Sequence, residues 1–130
     1  MMGLWSAYAP FYLLTLAAIT TLVFALPITF WPLTWARLMG WTLPAHTDLA
    51  VYFGRCLGAF ILIVEALMIR AGLTGEAIGT TFEVLAGVAA LMVLVHVYGA
   101  CKRIQPLSET LEIGMYSGML VLTLLFWPSV

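Results

Sequence analysis

The sequence predicts an all-α integral membrane protein: a single domain built as an antiparallel bundle of four transmembrane helices, with a short interfacial amphipathic segment between the first and second. Composition is the first observation behind this reading. Of 130 residues, 64% are hydrophobic and 8% charged, against about 45–50% apolar and about 25% charged in a soluble domain. So short and apolar a chain has too little polar surface to face water on every side, so lipid must serve as its solvent. The second observation is length: the apolar stretches each approach the ~20 residues that a bilayer core demands. The third is punctuation, because prolines and glycines fall between those stretches.

The first span covers about residues 10–30. Pro10 suits the first turn of a helix, where its missing N–H is harmless; Pro27 should kink or end the helix, and Pro32 closes it. The second covers 48–69, with Thr47 or Asp48 as N-cap and Gly72 and Gly75 as breaks after it. The third covers 79–100. The fourth covers 107–127; it follows Pro106, with Ser108 in an N-cap-like position ahead of Glu109 and Glu112, and Pro128 stops it. Loops 71–78 and 101–107 are short enough to make neighbouring helices antiparallel. The longer connection 31–47 carries Trp31, Trp35 and Leu38 on one side of a helical wheel, and it is expected to lie in the headgroup layer. There is no internal repeat, which argues against a two-plus-two inverted-repeat transporter.

Arg37, Lys102 and Arg103 share one end of this topology, with Arg55 just inside it, whereas Arg70 is alone at the other. The positive-inside rule then places the richer end in the cytoplasm and both termini outside, in what is expected to be a bacterial cytoplasmic membrane. Trp31, Trp35 and Trp41 become inner interfacial anchors, and Trp127, with Trp5, an outer one. The N-terminus has no basic segment ahead of its apolar stretch, so the first span reads as a permanent helix. Cys56 and Cys101 are too few for a disulfide scaffold and are expected to pack as small apolar residues.

Ionisable residues inside spans are where chemistry is sought in a membrane protein. Antiparallel pairing puts Arg55, His96, Glu109, Glu112 and Tyr116 at one depth as an inner-leaflet cluster, and Glu65 and Glu83 at another as an outer carboxylate pair. The preferred role for Arg55 is a salt bridge to one of the fourth helix's glutamates. His96 is read as a packing or hydrogen-bonding residue. Ligation of haem or a pigment through it is the alternative cofactor reading, and no second histidine lies at its depth to complete a bis-histidine site. Paired Glu-x-x-His motifs are absent, so no metal site is expected. Gly54 and Gly58 in the second helix, and Gly114 and Gly118 in the fourth, form small-xxx-small steps for close helix packing. In the second helix Gly54, Gly58, Ile61 and Glu65 lie within about 60° of one another on the wheel.

Four short spans with Arg55-Cys56-Leu57-Gly58 in the second loosely resemble the small DoxX-like membrane proteins, a likeness from which no residue role or activity is carried over. Motifs for nucleotide binding and Ser/His/Asp hydrolysis are absent. Five cations cannot track a phosphate backbone, so nucleic acid is not an expected partner. The preferred functional expectation is a non-catalytic structural or assembly subunit of a larger membrane complex, whose partners are the lipid bilayer and other membrane subunits or further copies of itself. One alternative is a small-solute or proton-coupled transporter working as a homodimer. The other is a membrane enzyme or carrier acting on a lipid or quinone through Arg55, His96, Glu109 and Glu112.

Overall fold

The computed structural model describes residues 2–129, which are helical or in turns and irregular connections, with no strand among them. The helices are α1 (Ala9–Thr20), α2 (Leu26–Phe30), α3 (Pro32–Leu38), α4 (Asp48–Thr74), α5 (Ile78–Lys102) and α6 (Leu107–Leu125). A 3-10 turn at Ser6–Tyr8 and a π-helical turn at Thr21–Ala25 make α1 and α2 parts of one span, Ser6–Phe30. Among the described residues three helices are long and apolar enough to cross a membrane: Ser6–Phe30, Asp48–Thr74 and Ile78–Lys102. The fourth expected span, α6, has 19 residues but falls short in hydropathy, because Glu109, Thr110, Glu112, Tyr116 and Ser117 dilute it.

Each boundary has a local cause. Pro27 has no N–H to offer the carbonyl four residues back, which belongs to Val23. The Trp35 indole N–H donates to that oxygen at 3.1 Å, tying α3 onto the first span. The backbone leaves helical geometry at Trp31 (φ −131°, ψ 55°), and Pro32 opens α3. Helix α4 follows Thr47, whose side chain makes no capping bond, and ends at Gly75 in the left-handed region (φ 75°). It runs straight through Gly72, which the sequence suggests as a break. Leu14 Cγ and the Pro10 carbonyl would lie 2.8 and 3.2 Å from a Cβ there, so glycine serves close packing at that point. Helix α5 ends in a Schellman arrangement: Arg103 adopts φ 54°, its N–H reaches the Ala100 carbonyl and the Ile104 N–H reaches that of Gly99. Ser108 does not cap α6 as its position suggests; its hydroxyl donates instead to the Met39 carbonyl.

The helices form two pairs, the first span against α4 and α5 against α6, with a slighter contact between α4 and α5. The close approach of α2 and α3 to α4 depends on Gly54, faced by Pro32, and Gly58, faced by the backbone of Thr29. The buried core lies towards one end: Ala9, Tyr12, Leu13 and Ala17 meet Met68 and Ala71 of α4 and Phe82 and Leu85 of α5. Tyr12 stacks on Phe126 at 4.8 Å and shares a 2.8 Å hydrogen bond with Thr123 Oγ1, joining the two pairs. At this end the Gly3 and Trp5 N–H groups donate to the Leu124 and Leu125 carbonyls, filling acceptors that a helix end leaves open. At the opposite end residues 39–41 lie across the start of α6.

Candidate functional site

That opposite end holds the densest polar group. His96, one turn and a half before the end of α5, faces Glu109 and Glu112 in the first two turns of α6, and all three are buried. The turn between the helices forces the meeting, since it sets residues at similar distances on either side of it to one depth. His96 Nε2 lies 3.1 Å from Glu109 Oε2 and 3.3 Å from Glu112 Oε2. His96 Nδ1 lies 2.7 Å from the Met92 carbonyl, and a carbonyl only accepts, so Nδ1 carries the hydrogen. Nε2 therefore faces two carboxylate oxygens, and a hydrogen, on the ring or on a carboxyl, or a cation must lie between them.

The surroundings hold this set in place. The Trp41 indole N–H donates to Glu109 Oε1 at 2.8 Å. Gln105 Nε2 donates to the His96 carbonyl at 3.0 Å and to Thr110 Oγ1 at 3.1 Å, bracing the turn. The Tyr116 ring packs 5.2 Å from the imidazole. Glu112 Oε1 has no hydrogen-bond partner although it is buried. Among the described residues no lysine or arginine pairs with either glutamate.

Of the expected inner cluster, the structure brings together His96, Glu109, Glu112 and Tyr116 and leaves out Arg55. The anticipated bridge from Arg55 to α6 is not made: Arg55 is exposed on an open groove along α4 with Asp48, Val51, Tyr52, Cys56 and Ala59. The outer pair is separated as well. Glu65 is buried against the first span, its Oε1 2.5 Å from Thr20 Oγ1, whereas Glu83 is exposed on α5. Thr20 Oγ1 also lies 2.8 Å from the Leu16 carbonyl. The Thr20 hydroxyl is thus shared between the Glu65 carboxyl and the helix backbone.

The two glycine steps also part company. Gly54 and Gly58 are filled from within the chain, whereas a Cβ at Gly114 or Gly118 would meet nothing within 4 Å. Trp31 is exposed, while Trp35 and Trp41 spend their N–H groups on Val23 and Glu109; Trp127 packs edge-on against Phe82 at 6.0 Å. His46, in the loop, is exposed and takes no part. Sequence reasoning set Trp41 down as an anchor and missed it as a site residue, because a loop donor 68 positions from its acceptor leaves no periodic signal. The metal-ligand geometry was missed too, since its three donors follow no contiguous motif: His96, Glu109 and Glu112 offer one atom each within 4.8 Å of one another. No known protein family, curated protein or solved structure matches the chain, so the likeness drawn from Arg55-Cys56-Leu57-Gly58 gains no support.

Proposed function

We propose that this chain is a non-catalytic structural or assembly subunit of a larger complex in the bacterial cytoplasmic membrane, with α6 as its fourth transmembrane helix and the outer face of α6 as the contact. The observation that carries the reading is the open glycine step. Leu107, Leu111, Gly114, Met115, Gly118, Val121 and Leu122 recur at helical spacing, and all are exposed. The notch at Gly114 and Gly118 is unfilled, while the equivalent notch at Gly54 and Gly58 is packed by backbone and proline. Lipid chains gain little from such a notch, whereas a helix gains close van der Waals contact. The modest hydropathy of α6 agrees with a helix covered by protein on two sides. The cationic end, with Arg37, Lys102 and Arg103, faces the cytoplasm in this reading, which puts both termini outside.

The occupant is a transmembrane helix of another subunit. Extraction in a mild detergent followed by native electrophoresis should place the wild-type chain in a larger species, and Gly114→Leu with Gly118→Leu should release it. A species containing this chain alone assigns the face to a homo-oligomer. Recovery of the wild type only as a free monomer removes the proposal.

One observation favours a second reading, a membrane enzyme or carrier for a lipid or quinone: the burial of His96 with Glu109 and Glu112 at a bundle end. On that reading His96→Ala abolishes turnover with the fold retained; unchanged turnover of a supplied quinone or lipid would remove it.

A further inference from the structure

We infer that His96, Glu109 and Glu112 form a binding site for a divalent first-row transition cation such as zinc, held by His96 Nε2 and one oxygen from each glutamate. The proposal is independent of the assembly role, because it concerns the inward face of α6 rather than the outward one.

Geometry comes first. Donor atoms about 2.1 Å from an ion are separated by about 3.0–3.4 Å at octahedral or tetrahedral angles. The separations of Nε2 from the two carboxylate oxygens are 3.1 and 3.3 Å. With Nδ1–H donating to the Met92 carbonyl, Nε2 is the nitrogen that faces the carboxylates and the one an ion would take in place of a proton, the usual outer-shell arrangement for a ligating histidine.

The second line of support is an orphan. Glu112 is 7% exposed, and its Oε1 has no hydrogen-bond partner. Buried carboxylate oxygens are ordinarily satisfied, and this one belongs to a group directed at the other two ligands. Glu109, by contrast, has Oε1 held by the Trp41 indole, which turns Oε2 towards His96 Nε2.

Charge is the third. With both carboxylates ionised beside a neutral imidazole the site would carry −2, and among the described residues no lysine or arginine pairs with either glutamate. A divalent ion neutralises that sum. The donor set, one imidazole nitrogen with carboxylate oxygens, suits zinc, manganese, iron or cobalt rather than a soft copper(I) site. Three protein ligands leave a fourth position for water. Trp41 is the positioning residue: its indole N–H fixes Glu109 through Oε1.

The test uses the full chain purified in mild detergent, stripped with a chelator and titrated with cobalt(II), followed by its visible absorption and by zinc competition. The expected result is one cobalt per chain, displaced by zinc, with a ligand-field spectrum of low symmetry. Glu112→Gln, which keeps the shape and removes the charge, should weaken binding at least about tenfold, and Trp41→Phe by about 10- to 100-fold. Thermal melting of each metal-free variant shows whether it is folded. Failure of the folded wild type to take up cobalt overturns the proposal and assigns the centre to protons only. Equal affinities for wild type and folded Trp41→Phe or Glu112→Gln also overturn it, since the bound ion would then be adventitious.

Discussion

Gly58→Ala tests the close seating of α2 on α4. A Cβ at residue 58 would stand 2.7 Å from the Thr29 backbone nitrogen and 2.8 Å from its Cα, with the Thr29 hydroxyl closer still. Ordinary contact between such atoms is about 3.5–4.0 Å, so the α2 backbone would have to retreat by roughly 0.8 Å. Backbone cannot swing aside as a side-chain tip can. Overpacking of this kind costs about 1–3 kcal/mol. Gly87→Ala is the matched control, because a Cβ there meets nothing within 4 Å. In a helix interior the control should gain about 0.5–1 kcal/mol from intrinsic propensity. That gain is common to both helix-interior sites, so the two variants should differ by the overpacking cost, about 1–3 kcal/mol in reversible unfolding in mixed micelles, with Gly58→Ala the weaker. Equal stabilities would refute the packing of α2 on α4 described above.

Tyr12→Phe deprives Thr123, 0% exposed, of its 2.8 Å hydrogen-bond partner and should cost about 1–3 kcal/mol. Adding Thr123→Val should recover part of that loss in the same unfolding assay, and strict additivity of the two costs would contradict the pairing. Glu65→Gln keeps the size of this buried side chain and leaves an amide oxygen to accept from Thr20, so it should cost no more than about 1.5 kcal/mol; a loss above about 3 kcal/mol would mean that the group is needed as an anion. Cys101 is exposed at the cationic end. With that end in the cytoplasm, a membrane-impermeant maleimide should label it in inverted vesicles and not in intact cells, and the reverse pattern would invert the topology.

Length and punctuation made most helix positions readable: the break at Trp31–Pro32, the start of α6 after Pro106 and the left-handed stop at Gly75 all follow from local rules. Gly72 misled because a glycine's sequence neighbours do not reveal that Leu14 packs on it. His96, Glu109 and Glu112 were legible as a set because antiparallel helices joined by a short turn bring matching depths together. Arg55 was misplaced for a related reason. It follows Gly54 by about 100° on the helix, and once the glycine face is occupied by Pro32 and Thr29, Arg55 must look away from the bundle. Glu65 turned to Thr20 rather than Glu83 because α4 packs chiefly on the first span and only slightly on α5. Such a choice between partners depends on the whole assembly of faces, and a wheel drawn for one helix does not contain it.

The α5–α6 turn also bears on how the chain enters a bilayer. Alone, α6 is too polar for confident partitioning, since it would carry two carboxylates and their hydration into the hydrocarbon. Folded back on α5, it presents those groups to His96 and keeps an apolar back. With α6 as the fourth span proposed above, the natural unit of insertion would be the hairpin, with α5 supplying the drive and α6 travelling as its passenger. A reporter fused after residue 125 should cross the membrane efficiently when His96 is present, and far less so when α6 is offered to the translocon behind an unrelated apolar helix.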